Sequence, residues 1–163
     1  MGRQSADQHF IVMLIPHHDG AIAMAELALS RAKRPQIKAL AQQIKASQTA
    51  EHAQMRRWYR QWHGSDVPAW TAGGMGTGID RGWGMPGMAT SLDVLRRAPD
   101  IDRAFIEQMI PHHRLGVMMA SHAQWNTQHS ELRELESTMV RVQSQEIEQM
   151  AQWYRQWCGA SGS

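Results

Sequence analysis

The chain has 163 residues and a formal net charge of +2 with histidine neutral, although its sequence pI is near 9.0. This length suits a single domain that buries a sizeable core. The small and dispersed charge argues against a nucleic-acid-binding surface. The composition combines 12 Met, 9 His and 7 Trp with one cysteine, which excludes an internal disulfide and a metal site built from thiolates alone.

No apolar run approaches the roughly 18 residues that a membrane-spanning helix needs, so we expect no membrane span. Residues 1–5 lead directly into the first predicted helix without the features of a signal peptide. We therefore expect either a cytoplasmic protein or an exported one from which a leader has been removed.

The first predicted element is a helix over about residues 5–32, because apolar residues recur there at spacings of three and four. Pro16 lies inside this helix, where it removes a backbone hydrogen bond at a cost of about 3 kcal/mol. The proline either kinks the helix or bends it so that His17 and His18 are re-aimed. The second interpretation is favoured by Pro111, which stands in the same setting.

Pro35 opens a second predicted helix, which reaches about His63 and carries an apolar stripe. Gln48 and Glu51 are the polar exceptions in this stripe. A buried carboxylate has to be paired, hydrogen-bonded or bound to a metal. We therefore expect Glu51 to have a specific partner.

The region from residue 64 to about residue 90 is rich in Gly and Met, which predicts a loop or linker. A short helical turn is expected over residues 91–97, with Thr90 or Ser91 as its cap. Two more long helices follow, and Ser130 is expected to cap the second of them.

The chain contains two copies of one phrase, separated by 95 residues at every matched position. The first copy holds Ile15-Pro16-His17-His18 and the second holds Ile110-Pro111-His112-His113. The same offset carries Met55 onto Met150, so about sixty residues repeat without an insertion. Such a duplication predicts a function built from both copies.

Four amphipathic helices of about 25 residues, in two similar hairpins, can bury their apolar stripes only against one another. The predicted fold is therefore all-α, a four-helix bundle made of two duplicated helical hairpins joined by a Gly/Met-rich loop. We expect one domain over residues 5–158, with repeat 1 at about 5–63, the linker at 64–99, repeat 2 at about 100–158 and a disordered tail at 159–163.

Histidine and methionine recur along the predicted helices at spacings that suit a metal site. Neutral imidazole and thioether together favour Cu(I) or Ag(I) over Mg, Ca or Mn. The candidates are the two His-His pairs, the methionines placed three, four or seven residues from them, and one further pair four residues apart. They are His17, His18, Met13, Met24, His112, His113, Met109, Met119, Met118 and His122.

Structural interpretations of the same residues stay open. Methionine commonly fills irregular cores, so Met24 and Met119 can be packing residues. A single buried histidine is usually a hydrogen-bonded structural group. Four buried imidazoles reduce stability without an evident packing gain, which favours a metal or proton role for the two pairs. We interpret His9, His63 and His129, which are unmatched between the copies, as surface residues.

Enzyme signatures fail when they are checked against the chain. The Glu-x-x-His of di-iron bundles does not occur, and neither does His-Glu-x-x-His or a phosphate-binding loop that opens a helix. We therefore expect a protein that is not an enzyme. A metal-free structural or partner-binding bundle and a Zn- or Cu-dependent enzyme with an open coordination position are the alternatives.

The two phrases resemble a known family. The first copy reads Phe10-Ile11-x-x-x-Ile15-Pro16-His17-His18-x-x-Ala21-Ile22-x-Met24-Ala25 and is followed by Gln48-x-x-Glu51-x-x-x-Met55. Together with Gln143-x-x-Glu146-x-x-x-Met150 in the second copy, it looks like the CopM-like, ferritin-like four-helix family called domain of unknown function three-hundred-and-five. The resemblance covers about residues 7–158. It implies a ferritin-like bundle, usually exported, in which some members bind copper or silver. Matched by motif position, the implied ligands are His17, His18, Met24, His112, His113 and Met119.

Together these observations predict a Cu(I)-binding protein that acts as a periplasmic or secreted chaperone, buffer or sequestering protein in copper homeostasis or resistance. Silver and zinc are the alternative metals. A copper-donor or copper-acceptor protein is the expected partner beside the metal ion itself. We expect first capture at Met75, Met85 and Met88 and tighter holding by the His/Met stripes.

Overall fold

The computed structural model describes residues 5–68 and 92–159, and all regular structure within them is helical. Four long helices form a bundle, and a short one precedes the third of them. The helices are α1 (Ala6–Arg31), α2 (Pro35–His63), α3 (Leu92–Arg97), α4 (Ile101–Ala123) and α5 (Ser130–Tyr154), and α5 continues into a π-helical turn at Arg155–Gly159. The predicted all-α four-helix bundle is confirmed.

The four long helices pair as two hairpins. Helix α1 packs along α2, α4 packs along α5, and the two hairpins meet chiefly where α1 contacts α4. The two Pro-His-His phrases therefore lie on the inner helices. Both helices run through Pro16 and Pro111 without interruption.

Local sequence explains where α1 and α2 begin and end. Ser5 caps α1, since its hydroxyl accepts the backbone N–H of Gln8 at 3.1 Å while the Gln8 side chain accepts the backbone N–H of Ser5 at 2.9 Å. Pro35 occupies the first turn of α2, where no backbone hydrogen bond is lost. Gly64, with φ 76°, ends α2 in the left-handed conformation that favours glycine.

Two buried aspartates, one in each hairpin, bind the loop of the opposite hairpin. Asp7 accepts the backbone N–H groups of residues 128–129 at 2.9 and 3.0 Å, and Asp102 accepts those of residues 33–34 at 2.9 Å each. The expectation that Ser130 caps α5 is wrong, because the capping position belongs to His129 and Ser130 is the first helical residue. Since Asp7 and Asp102 are related by the repeat, the same contact ties the bundle at both ends.

Helix α1 is more apolar along its length than we expected from the sequence. It is the one described helix with an 18-residue window whose mean hydropathy reaches 1.2, so it is long and apolar enough to cross a membrane by length and composition. In this fold, 56% of that window is buried inside the bundle. Its apolar character is therefore accounted for by its place as an inner helix.

The short helix predicted before the second repeat is confirmed as α3, at Leu92–Arg97. Its expected capping residues Thr90 and Ser91 lie outside the described residues, as do most of the predicted Gly/Met-rich loop and the tail after residue 159.

Candidate functional site

The two His-His pairs meet at the centre of the bundle in one buried group, here called the histidine layer (His17, His18, His112 and His113). No member is more than 3% exposed. The ring of His17 stacks on the ring of His112, with centroids 3.8 Å apart and 12° between the ring planes. Because these two residues are related by the repeat, the stack joins the two halves of the molecule.

The outer histidines of the layer pair with glutamates from α2 and α5. His18 donates from Nε2 to Oε1 of Glu51 at 2.7 Å, and His113 donates from Nε2 to Oε1 of Glu146 at the same distance. The other oxygen of Glu146 accepts a hydrogen bond from the Gln43 amide at 2.7 Å. The expectation that Glu51 has a specific partner is confirmed.

Burial keeps the stacked rings neutral. Loss of solvent, aided by the neighbouring His18, lowers the pKa of His17 from the ordinary 6.5 to about 3, and burial also holds the pKa of His112 well below 6.5. His17 donates from Nε2 to the backbone oxygen of His112 at 2.8 Å, so in the neutral ring the lone pair is on Nδ1. The Nδ1 atoms of all four layer histidines are buried without a hydrogen-bond partner in the described part of the chain.

The stacking limits what this layer can bind. An imidazole nitrogen ligates a metal through a lone pair in the ring plane, at about 2 Å for zinc. Two nearly parallel rings 3.8 Å apart cannot direct such lone pairs at an ion between them. Across residues 5–68 and 92–159, no three His, Cys, Asp or Glu side chains form a group that could hold a metal. In the layer, Nε2 is hydrogen-bonded at His17, His18 and His113, whereas Nδ1 has no partner at any of the four histidines in the described part of the chain.

A second group of candidates lines a surface groove between the start of α1 and the end of α4, here called the His/Met groove. The groove has a volume of about 420 Å³. It is lined by Ala6, His9, Phe10, Met13, Met118, Met119, His122, Ala123 and Asn126. Four of the predicted ligands are therefore brought together here. Met118 is 52% exposed, and Met13 and Met119 are half-buried, so the groove is open to solvent.

Helical spacing explains this grouping. His9 and Met13 are four residues apart on α1, and Met118 and His122 are four residues apart on α4, so each pair shares one helix face. His9 is exposed, as the sequence predicted, but its membership of the groove was missed. The signal that could have found it is its spacing to Met13, which equals the spacing between Met118 and His122.

The remaining two predicted ligands, Met24 and Met109, are fully buried in the apolar core. They are thus separated from the groove, and each fills core space. The proposed capture residues Met75, Met85 and Met88 lie outside the described residues.

His129 is not the simple surface residue that the sequence predicted. Its side chain is 33% exposed, and its ring stacks on that of Trp62 with centroids 3.5 Å apart. Its Nδ1 donates to the carboxylate of Asp7 at 2.6 Å. His129 therefore holds the loop between α4 and α5 against α1, a role that depends on contacts distant in the sequence.

Comparisons with known proteins agree with this architecture. The profile of a family described as domain of unknown function (DUF305) matches residues 7–154. The chain belongs to the DUF305 family. It is similar to CopM in the Cu(I)-bound form, with 43% identity, a TM-score of 0.83 and coverage of 96% of this chain and 100% of that chain. For CopM in the Ag-bound form obtained by co-crystallization, identity is 42%, the TM-score is 0.80, and coverage is again 96% and 100%.

A more distant DUF305 protein, from Streptomyces coelicolor and described as a candidate secreted protein, is 26% identical. Its TM-score is 0.77, and the match covers 93% of this chain and 92% of that one. Among curated proteins, none matches this chain. The resemblance seen in the two Pro-His-His phrases is confirmed over nearly the full length of this DUF305 chain.

Proposed function

We propose that this DUF305 protein binds Cu(I) and Ag(I) at the His/Met groove and serves copper homeostasis or resistance as a chaperone, buffer or sequestering protein. One observation carries the proposal. Met13, Met118, Met119 and His122, together with His9, line a single groove that solvent can reach. The full-length similarity to CopM, which has Cu(I)-, Cu(II)- and Ag-bound forms, supports the same chemistry.

The donor set of the groove is chemically selective. Three thioethers and two imidazoles are soft and borderline ligands, which suit Cu(I) and Ag(I), whereas the hard cations Mg and Ca require oxygen ligands. Thioethers release no proton on binding, but imidazole ligation in general weakens below about pH 6.5. Part of the affinity should therefore persist in mildly acidic solution.

We assign the histidine layer to structure and not to metal ligation. Three features support this assignment. Two of its rings are stacked, its Nε2 atoms at His18 and His113 already donate to carboxylates, and all four side chains are closed to solvent. A metal ion could bind between His17 and His112 only after their rings had separated. The stacking of His17 on His112 and the pairing of His18 and His113 with glutamates offset part of the cost of burying four imidazoles.

The proposed setting is the periplasm or the cell exterior, and the proposed role is not catalytic. The description of the Streptomyces coelicolor relative as a candidate secreted protein supports an exported location. Soft-metal chemistry with exposed thioethers also suits transfer to or from a copper-donor or copper-acceptor protein, because exposed ligands can be exchanged between two proteins.

Anaerobic titration with Cu(I) against a chelator of known affinity tests the proposal. A groove variant combining Met13→Leu, Met118→Leu and His122→Gln should weaken Cu(I) binding at least tenfold, which corresponds to about 1.4 kcal/mol. The matched control combines Met24→Leu and Met109→Leu in the core and should keep the parent affinity.

Parallel titrations with Ag(I) and Zn(II) decide between the alternatives. The proposal expects tight Ag(I) and weak Zn(II) binding by the parent. Unchanged Cu(I) affinity in the groove variant would show that the metal binds elsewhere. If the parent bound neither Cu(I) nor Zn(II), the protein would be a metal-free helical scaffold.

A further inference from the structure

The His/Met groove has a counterpart at the other end of the α1–α4 pair, because the 95-residue repeat relates every position of one hairpin to a position of the other. Six lining residues of the groove are His9, Met13, Met118, Met119, His122 and Asn126. Their counterparts are, in the same order, Ala104, Gln108, Ala23, Met24, Leu27 and Arg31. The metal-ligating residue types are thus largely confined to one of the two positions.

The counterpart of the groove is covered by α3. Leu95 and Ala98 belong to the same buried apolar cluster as Met24 and Ala104. The guanidinium of Arg31 donates to the backbone oxygen of Leu95 and, at 3.0 Å, to that of Ala98. A short helix is therefore held there by apolar contacts beneath it and by hydrogen bonds to the carbonyl groups at its end.

The groove itself has no such cover within residues 5–68 and 92–159. Met119, the counterpart of the fully buried Met24, is partly exposed. Trp125, which lies in the turn after α4 directly before Asn126, is 86% exposed. Of the three large apolar side chains that are exposed in the described part of the chain, Met118 and Trp125 lie on or beside the groove. Grouped apolar exposure of this kind marks protein interfaces, and tryptophan is common among their strongest contacts.

We propose that the groove docks a short amphipathic helix of a partner protein, in the way that its counterpart holds α3. The chemistry of the occupant follows from α3, in which Leu92 and Leu95, three residues apart, pack on the core. Asn126 stands where Arg31 stands in the counterpart, and its side-chain amide supplies two N–H donors for the carbonyl groups at the end of such a helix.

Docking of a helix in the groove follows from packing alone. The identification of the partner as a protein that delivers or removes Cu(I) rests also on the proposed function, because the docked helix covers the same Met118 and His122 that are proposed to hold the metal. A methionine on the partner helix would lie against those donors, and the ion could then pass between the two proteins by exchange of thioether ligands.

A graft in the metal-free full-length chain tests whether the groove accepts such a helix. A copy of residues 92–100, which comprise α3 and its connection to α4, replaces residues 1–5. The copy then precedes α1 in the same way that the original precedes α4. The measurement is NMR relaxation of the methionine methyl groups by a soluble paramagnetic agent. We expect the relaxation of the Met119 methyl group to fall to the level of Met24. In the control graft, lysine replaces the copied Leu92 and Leu95, and Met119 should stay as in the parent.

Equal relaxation of Met119 in the two grafts would overturn the docking proposal. A free capped peptide with the sequence of residues 92–98 should shift the Met118 and Met119 methyl resonances of the parent, and its lysine version should shift neither. Protection of Met119 that grows with the concentration of the parent alone would make a second copy the occupant and would overturn the partner assignment. If the graft protected Met119 but the parent did not bind Cu(I), the proposed function would fail and the docking surface would stand. If the parent bound Cu(I) but the graft did not protect Met119, the docking proposal would fail and the proposed function would stand.

Discussion

The histidine layer and the His/Met groove are built from the same two helices, yet they differ in every property that decides whether a side chain can ligate a metal. The layer is closed to solvent, its rings are stacked, and its outer members donate to Glu51 and Glu146. The groove is open, and Met118 is among its most exposed members. Residue type alone therefore does not identify a ligand, because burial and existing hydrogen bonds decide which lone pairs remain accessible. Damage to the layer should appear as lost stability, and damage to the groove as lost binding.

The largest effect is expected from Glu146→Ala. This substitution leaves the buried His113 without its acceptor, and breaking a buried pair costs on the order of 3 kcal/mol. Glu51→Ala, at the equivalent position, is the matched control with a smaller expected loss, because the Glu51 side chain is 20% exposed against 6% for Glu146. Urea denaturation measures both. Equal losses, or a greater loss in Glu51→Ala, would contradict the account.

Acid should weaken the layer. Because the pKa of His17 is about 3 in the folded protein against an ordinary 6.5, the folded state binds fewer protons than the unfolded state between these values. The stability linked to the neutral ring is complete above pH 6.5 and is lost as the pH falls toward 3. With a slope of about 1.4 kcal/mol per pH unit for one proton, we expect a loss on the order of 2 kcal/mol between pH 6.5 and about pH 5.

The buried carboxyl group of Glu136 has the opposite effect on stability as the pH falls, so it has to be substituted before the measurement. Burial raises the pKa of Glu136 to about 7, so the folded state favours its protonated form. Its contribution is complete below the ordinary value near 4.5 and is lost as the pH rises through 7. Urea denaturation is therefore followed against pH in a Glu136→Gln background. If adding His17→Gln left the acid slope unchanged, the linkage to the layer would be refuted.

Gly116→Ala should destabilise the protein by about 1 kcal/mol, although alanine is the better helix former. A Cβ at this position would lie 2.8 Å from Oε1 of Gln143 and 3.1 Å from Cε1 of His17, so both buried side chains have to shift. The repeat places Ala21 at the equivalent position of α1. Thermal unfolding measures the change in stability. A gain in stability of about 1 kcal/mol, as helix propensity alone predicts, would show that the added methyl group fits beside Gln143 and His17 without strain.

The smallest effect on stability is expected in the groove. The metal-free variant with Met13→Leu, Met118→Leu and His122→Gln should unfold within about 0.5 kcal/mol of the parent, because these side chains are exposed or half-buried. Added Cu(I) should raise the midpoint of thermal unfolding in the parent and not in the variant, since a ligand that binds only the folded state stabilises it. A large loss of stability without metal would make the groove a structural element instead.

The sequence predicted the bundle well because the evidence for it is periodic and duplicated. Matching phrases 95 residues apart required two similar hairpins, and the spacing of Met118 and His122 placed these two side chains on one helix face, where both line the groove. The sequence could not separate Met13 from His17. The two residues share a stripe on α1, but Met13 lines the groove and His17 belongs to the layer. Both side chains face α4, and the separation depends on how deeply each is buried and on which α4 residues lie opposite.

The cover that α3 provides was also beyond the sequence. The short helix itself was predicted, but periodicity does not say on which surface a short helix packs. Likewise, the contacts of His129 with Asp7 and Trp62 join residues far apart in the chain. Such contacts follow from the way the hairpins cross, which no local pattern records.

X-ray absorption spectroscopy of the Cu(I)-loaded protein shows whether methionine sulfur binds the metal. It is performed in a Cys158→Ser background, so that methionine is the only source of sulfur ligands. We expect at least two sulfur neighbours together with imidazole nitrogen around copper, because the groove offers three thioethers and two imidazoles. Coordination by nitrogen alone would exclude the groove methionines as ligands and contradict the division of roles between the two regions.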